Sequence, residues 1–430
     1  MKALSCRDRL EQALARIADP KGEGARACLT VYAGAARAAA DAADARAANG
    51  VTLGPLDGAI VTIKDLFDVA GEPTRAGSKI LAEEAKPAAA DAPVVRRLRA
   101  AGAVIVAKTN MTEFAFGGIG ANPHFGTPGN PADRTRVPGG SSAGAGVSAA
   151  DGMCEIAIGT DTGGSVRIPA ALCGIVGFKP SRQRVPTAGA FPLSFTLDSI
   201  GPLARSVADC AKADAVLAGE DYQPLDPLPL AGLRVGIAQG VPLEALDKTV
   251  SAAFAAALKQ LEGAGVRLTG ETVSLFDEMR AVNAYGGIVG PEAYAIHRDR
   301  LKRRAADLDP NVSVRIERGA AISGADYVDM LRERMRLVHA MDGRLAGFDA
   351  LIMPTTPIVA PTMAEIAEPK DYAVRNALVL RNTSIGNFFD LCGVSLPLKA
   401  ELPVGLMLLA RNGRDRTLLR IAAAFEQLFV

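Results

Sequence analysis

The sequence is poor in histidine. Only His124, His297 and His339 occur in 430 residues, far apart along the chain, so no histidine-rich metal centre is expected and neither metal nor cofactor is assigned. Cys6, Cys28, Cys154, Cys173, Cys210 and Cys392 are scattered with no CxxC pair, which reads as small core residues or free thiols of a reducing, cytoplasmic compartment. No run of about 18 apolar residues suggests a membrane span. The N-terminal stretch carries Lys2, Arg7, Asp8, Arg9 and Glu11 without the apolar centre of a secretory signal. A surplus of one charge sign is missing too: a net charge of +1 leaves no footprint for nucleic acid, whose phosphates demand a basic face.

What is present is an ordinary globular balance, 49% hydrophobic and 22% charged, which sets aside disordered and fibrous architectures. A chain of 430 residues permits two domains, but no linker or internal repeat divides it, and 1–430 reads as a single domain. Leu10, Ala13, Leu14 and Ile17 recur at helical spacing and an Ala-rich run follows from Ala35 to Ala48, so the pattern from Cys6 to Asn49 is helical and both stretches read as amphipathic helices. After turn chemistry at Gly54 to Gly58, Ala59 to Ile63 is a β-branched strand ending at Lys64. A helix from Ala92 to Ala101 leads to the strand Val104 to Ala107, and this alternation predicts an α/β fold with buried, parallel strands. Further strands are expected at Glu155 to Gly159, Leu233 to Ala238, Val266 to Leu268 and Asp349 to Met353. The core lies at about 58–205, a helical insertion at about 215–345 and the C-terminal part of the core at 346–430. The basic run Arg300-Leu301-Lys302-Arg303-Arg304 reads as a solvated helix face.

Gly117 to Ala150 is rich in Gly, Pro, Asn and Ser, which marks a functional loop system in an otherwise regular protein. Gly140-Ser141-Ser142-Ala143-Gly144 within it contains G-x-S-x-G centred on Ser142. A nucleophile elbow needs an apolar strand before that motif and a histidine partner. Asn130 to Val137 is no buried strand, and the histidines are scattered. The sequence has no P-loop and no Ser-x-x-Lys. Serine chemistry without histidine remains: Lys64 at the end of a buried strand, the pair Ser141 and Ser142 in a glycine turn, and Ser165 after Gly163-Gly164. Amide cleavage needs an activated nucleophile, an oxyanion site and an acid for the leaving nitrogen. Lysine serves as the base only if burial lowers its pKa, and a Gly-rich turn offers backbone N–H donors with no side chain in the way.

The stretches Gly139 to Ser142, Gly159 to Ala170 and Cys173 to Pro180 together resemble the amidase signature family. The resemblance extends to Val61 to Asp65, Lys108 to Asn110, Gly201 to Arg205 and Leu402 to Leu406, most of the chain outside the insertion. It implies an α/β fold with a mixed, mostly parallel central sheet flanked by helices. It also implies a triad in which Ser165 is the nucleophile, Ser141 bridges behind a cis Gly140–Ser141 peptide and Lys64 is the base. The oxyanion donors fall on the N–H groups of Thr162, Gly163, Gly164 and Ser165. Ser142 reads as a supporting hydrogen-bonding group, Asp161 and Arg167 as an ion pair bracing the Gly163-Gly164 turn, and Cys154 and Cys173 as core thiols. Phe114, Phe116 and Phe125 line an acyl pocket or pack in the core; both readings stay open.

Three departures touch the substrate and not the chemistry: Ala143 stands where glycine is common, Ser181-Arg182-Gln183-Arg184 follows Pro180, and the hairpin Leu398 to Glu401 is short. The segment Asn382 to Pro397 resembles amidases of small ureido or malonyl-type amides. The implied function is hydrolysis of a small-molecule amide to carboxylate and ammonia or amine, without nucleic acid or membrane and with a homo-oligomer left open. Two alternatives stand beside it. One is the glutamine-hydrolysing subunit of an aspartyl/glutamyl-tRNA amidotransferase-like complex; the other is a binding protein that has lost catalysis, against which intact Lys64, Ser141 and Ser165 argue.

Overall fold

The computed structural model describes residues 4–284 and 286–429. Apolar and β-branched runs bounded by turns become strands, as their propensities favour. In chain order these are β1 Cys28–Val31, β2 Ile60–Lys64, β3 Val104–Thr109, β4 Ile156–Thr160, β5 Val176–Lys179, β6 Ile200–Ala204, β7 Arg234–Gln239, β8 Arg267–Thr272, β9 Ala350–Pro354, β10 Cys392–Leu398 and β11 Val404–Ala410. They form one sheet in the order β1-β3-β2-β4-β6-β5-β10-β11-β9-β7-β8. β2, β3, β4, β5, β6, β9 and β11 are buried at every residue, which is why they read as continuous apolar runs.

The α/β class stands, but the sheet is not mostly parallel. The ladders β2–β3, β2–β4, β7–β8 and β7–β9 are parallel. Those of β1–β3, β4–β6, β5–β6, β5–β10, β10–β11 and β9–β11 are antiparallel. The strand–helix–strand rhythm that predicted parallel pairing belongs to the two flanks; the centre is built from β6, β5 and the β10–β11 hairpin, whose partners run the other way. The N-terminal stretch forms both expected helices, with an unexpected strand between them. Helices Cys6–Ala18 and Ala33–Ala48 form, the first with a capping box at Ser5 and Asp8. Between them Pro20 and Gly22 stop the helix, and Cys28–Val31 pairs with β3 as an edge strand.

The segment 215–345 holds helices Lys248–Gly263, Leu275–Val282, Val289–Arg304, Pro310–Arg318 and Gly324–Arg344, and it also contributes β7 and β8 to the sheet. Its basic run is not simply solvated: Arg304 pairs with Glu83 at 2.7 Å, Glu84 at 3.1 Å and Asp307 at 2.8 Å, docking the helix on Lys79–Glu84. Among the described residues no helix is long and apolar enough to cross a membrane. For the site the decisive register is that of β2 and β4, parallel with Ile63 opposite Ile158. The strand ends bearing Lys64 and Thr160 therefore emerge side by side at the carboxyl edge, where α/β sheets usually bind ligands.

Candidate active site

Lys64 is fully buried. Its Nζ lies 2.7 Å from Ser141 Oγ and 2.8 Å from Thr160 Oγ1. Burial penalises the ammonium and pulls the pKa from 10.5 to about 7, while the negative charges of Asp198 and Asp161 push it back up. A neutral amine has one lone pair and two N–H bonds. With Thr160 Oγ1 accepting one N–H, the lone pair can face the Ser141 hydroxyl, the arrangement a base requires.

The serine turn is held by its backbone. The Gly140–Ser141 peptide is cis; Gly140 N–H donates to Gly118 O at 2.8 Å, and Ser141 O accepts from Thr112 N–H at 3.0 Å. A Cβ on Gly140 would sit 2.7 Å from the Gly120 backbone, so no other residue fits. Ser142 Oγ donates to Thr160 O at 3.3 Å, and its N–H reaches Ser165 O at 3.4 Å. Ser142 thus ties the serine turn to both ends of the 160–165 loop.

That loop is fixed from below by an ion pair with no solvent exposure on either side. Arg167 Nε and Nη2 donate to Asp161 Oδ2 at 3.0 Å and Oδ1 at 2.9 Å, and Asn387 bonds both partners, at 2.7 Å to Arg167 and 2.8 Å to Asp161 Oδ1. Burial alone would raise the Asp161 carboxyl, but the Arg167 charge overrides it and the pKa falls to about 2. Three successive carbonyls of the loop are taken: Gly163 O by Thr383 Oγ1 at 2.6 Å, Gly164 O by Ile168 N–H at 2.7 Å and Ser165 O by Ser142 N–H. The N–H groups of Thr162, Gly163, Gly164 and Ser165 meet no backbone acceptor among the described residues, an anion-accepting arrangement. Gly164 has φ +134°, and a Cβ there would lie 2.1 Å from Thr383 Oγ1.

Lys64, Ser141, Ser142, Asp161, Thr162, Gly163, Gly164, Ser165 and Arg167 are therefore gathered around one carboxyl edge of the sheet. The phenylalanines divide: Phe114 is buried and packs on the His297 ring, centroids 4.0 Å apart, and Phe116 is buried under Arg315, whereas Phe125 is half-buried. Sequence reasoning missed Thr160, Asp198, Thr383 and Asn387. Thr160 lies inside the glycine-rich motif one residue before Asp161, and Thr383 and Asn387 lie in the segment Asn382 to Pro397, so their places were the available signal; Asp198 joins only through tertiary contact. Among the described residues no three His, Cys, Asp or Glu side chains gather where a metal ion could sit.

The family model described as Amidase matches residues 8–419 of this chain. The chain belongs to the amidase family. It is an amide hydrolase of that family, similar to the 2-amino-5-chloromuconic acid deaminase of Comamonas testosteroni, 38% identical over 91% of this chain and 86% of that protein. It is also similar to a glutamyl-tRNA(Gln) amidotransferase subunit of Anaeromyxobacter dehalogenans strain 2CP-C, 38% identical over 99% of this chain and 93% of that one. A crystal structure of an amidase superposes on it with a TM-score of 0.89 at 35% identity, over 99% of this chain and 97% of that one. The amidase fold is thus shared along the whole chain, the segment 215–345 included.

Proposed function

We propose that this amidase hydrolyses a small carboxamide to carboxylate and ammonia or amine through an acyl-enzyme on Ser165. The observation that carries the reading is the 2.7 Å contact of Ser141 Oγ with a buried lysine whose pKa is about 7. Neutral Lys64 takes the Ser141 proton as Ser141 takes that of Ser165, and Ser165 Oγ attacks the amide carbon. The oxyanion is met by the N–H groups of Thr162 to Ser165. The relay then returns the proton to the leaving nitrogen, the C–N bond breaks, and water attacks the ester by the same route to regenerate Ser165.

Ammonia release by the isolated chain across a panel of small amides tests this reading, and turnover is expected to survive prolonged chelation. Turnover lost on chelation contradicts it. The second reading, a glutamine-hydrolysing component of an amidotransferase, is favoured by the near full-length match to such a protein. It predicts hydrolysis confined to glutamine and dependent on added partner proteins.

A further inference from the structure

The loop that begins at Thr162 is held from outside the sheet by groups the proposed reaction does not use. Thr162 Oγ1 donates to Asp198 Oδ1 at 2.5 Å, and Asp198 Oδ2 accepts the N–H groups of Leu193 and Ser194 at 3.0 and 3.1 Å. Beside it Ser199 exchanges both backbone hydrogen bonds with Asp161, at 2.8 and 3.2 Å, and donates its hydroxyl to Asp161 O at 2.8 Å. The 193–199 turn is pinned in its turn to helix Val289–Arg304. Glu292 on that helix is buried and accepts from the hydroxyls of Ser194 and Thr196, from Thr196 N–H at 3.3 Å and from Tyr327 OH at 2.6 Å.

A buried carboxylate persists only where donors replace its lost water. Glu292 is surrounded by hydroxyl and amide donors and has no ion-pair partner among the described residues, so its acceptor capacity is turned on this one loop and on Tyr327. Along the oxyanion loop, Thr162 is the weak point: the carbonyls of Gly163, Gly164 and Ser165 are each held, whereas Thr162 O receives no backbone donor among the described residues. Its side-chain bond to Asp198 is the one hydrogen bond that holds Thr162 itself among the described residues.

We propose that Asp198 is a positioning residue that holds Thr162 in the oxyanion loop, and that Glu292 makes the segment 215–345 part of the same device. The proposal rests on the reading of Thr162 to Ser165 as the oxyanion site. Donors aimed at a developing charge act through their placement, so a shift of the loop lowers the rate more than the affinity. Asp198 has a second effect. Lys64 on β2 feels its charge together with that of Asp161, and both favour the ammonium. Burial and the like charge of Glu292 push the Asp198 carboxyl up to about 6, still below the value of about 7 at Lys64, so Asp198 is ionised where Lys64 titrates and stabilises its ammonium. Removing that charge lowers the pH at which Lys64 becomes a base.

The test compares Asp198→Asn, Thr162→Val, their double variant and Glu292→Gln in the full chain, using an amide the wild type turns over. Asp198→Asn and Thr162→Val are each expected to lower kcat about 10- to 100-fold with KM within about threefold. On the pH-independent plateau the double variant is expected to lose no more than the larger of the two single losses, because both substitutions act on the one Thr162–Asp198 bond. Asp198→Asn also moves the ascending limb of the pH profile to lower pH, which a merely structural lesion would not do. Additive losses, a loss expressed in KM, or an unmoved limb overturn the proposal. Should Asp198→Asn fail to fold, Glu292→Gln reads the same chain of bonds further out: a fall in kcat at unchanged KM supports it and an unchanged kcat overturns it. Ser165→Ala separates the two levels. Ammonia release surviving there overturns the proposed function itself, whereas an inactive Ser165→Ala beside additive losses overturns only the role of Asp198.

Discussion

Replacing Lys64 by methionine is expected to stabilise the protein while abolishing turnover. In the unfolded chain the amine titrates near 10.5, and in the folded protein near 7. Between those values the unfolded chain holds a proton that the folded one lacks, so stability rises with pH across that window and the full penalty stands below about 7. At about 1.4 kcal/mol per tenfold change in a proton equilibrium, the penalty comes to about 5 kcal/mol at pH 6 and about 2 kcal/mol at pH 9. Methionine removes it but leaves the buried hydroxyls of Ser141 and Thr160 without their amine partner, a loss of about 1–3 kcal/mol at any pH. The net effect is a gain of about 2–4 kcal/mol at pH 6 that shrinks toward zero at pH 9. Urea unfolding of wild type and Lys64→Met at both pH values measures it, and the difference between the two pH values is free of the hydroxyl loss. A variant destabilised equally at pH 6 and pH 9 would mean that Lys64 titrates as an ordinary lysine and is no base at neutral pH.

The pH dependence of catalysis has the matching sign: kcat/KM should rise about tenfold per pH unit below about 7 and level off above it. Lys64→Ala removes that limb and lowers the rate by orders of magnitude, and Ser141→Ala costs less because water can stand in for the bridging hydroxyl; steady-state kinetics across pH 5 to 9 (about four units) reads both. Asp161→Asn leaves the buried Arg167 guanidinium without its counter-charge, an expected loss of about 3–5 kcal/mol in denaturant unfolding. With the Asp161 carboxyl held at about 2 against 3.8, the wild-type pair stabilises the fold above about pH 4 and is lost as pH falls toward 2, which acid titration of the fold follows. Gly164→Ala should abolish activity and destabilise the fold, because its Cβ would fall 2.1 Å from Thr383 Oγ1, while Gly163→Ala, whose nearest neighbour is the Leu380 side chain at 3.3 Å, should be milder in both thermal unfolding and kcat.

The parts of the molecule legible in the sequence are those where local pattern and chemistry agree. The strand ending at Lys64 was visible because Ala59 to Ile63 is apolar and β-branched, and that same burial moves the lysine's pKa. The glycines of the 139–144 and 159–165 turns were visible because close backbone approaches leave no room for a Cβ, at Gly140 against Gly120 and at Gly164 against Thr383. Strand direction was not legible. A buried parallel strand and a buried antiparallel one present the same apolar run, so β5, β6 and the β10–β11 hairpin gave no hint that antiparallel ladders outnumber parallel ones. Cys28–Val31 was hidden by its helical neighbours, being only four residues long and defined by pairing with β3. Thr160, Asp198 and Asn387 are polar residues whose partners lie up to hundreds of positions away, as Asn387 is from Asp161, and no local pattern encodes such contacts.

The most direct measurement is the mapping of covalent label on the enzyme. The chain is treated with a fluorophosphonate, which phosphonylates an activated serine, and digested for peptide mass spectrometry, with Ser165→Ala and Ser142→Ala treated in parallel. Hydroxylamine added during turnover reports the acyl intermediate as hydroxamate. The predicted result is label on Ser165 in the wild type and in Ser142→Ala, none in Ser165→Ala, and hydroxamate formed wherever label is found. Label that persists in Ser165→Ala and vanishes in Ser142→Ala would contradict the assignment and make Ser142 the nucleophile.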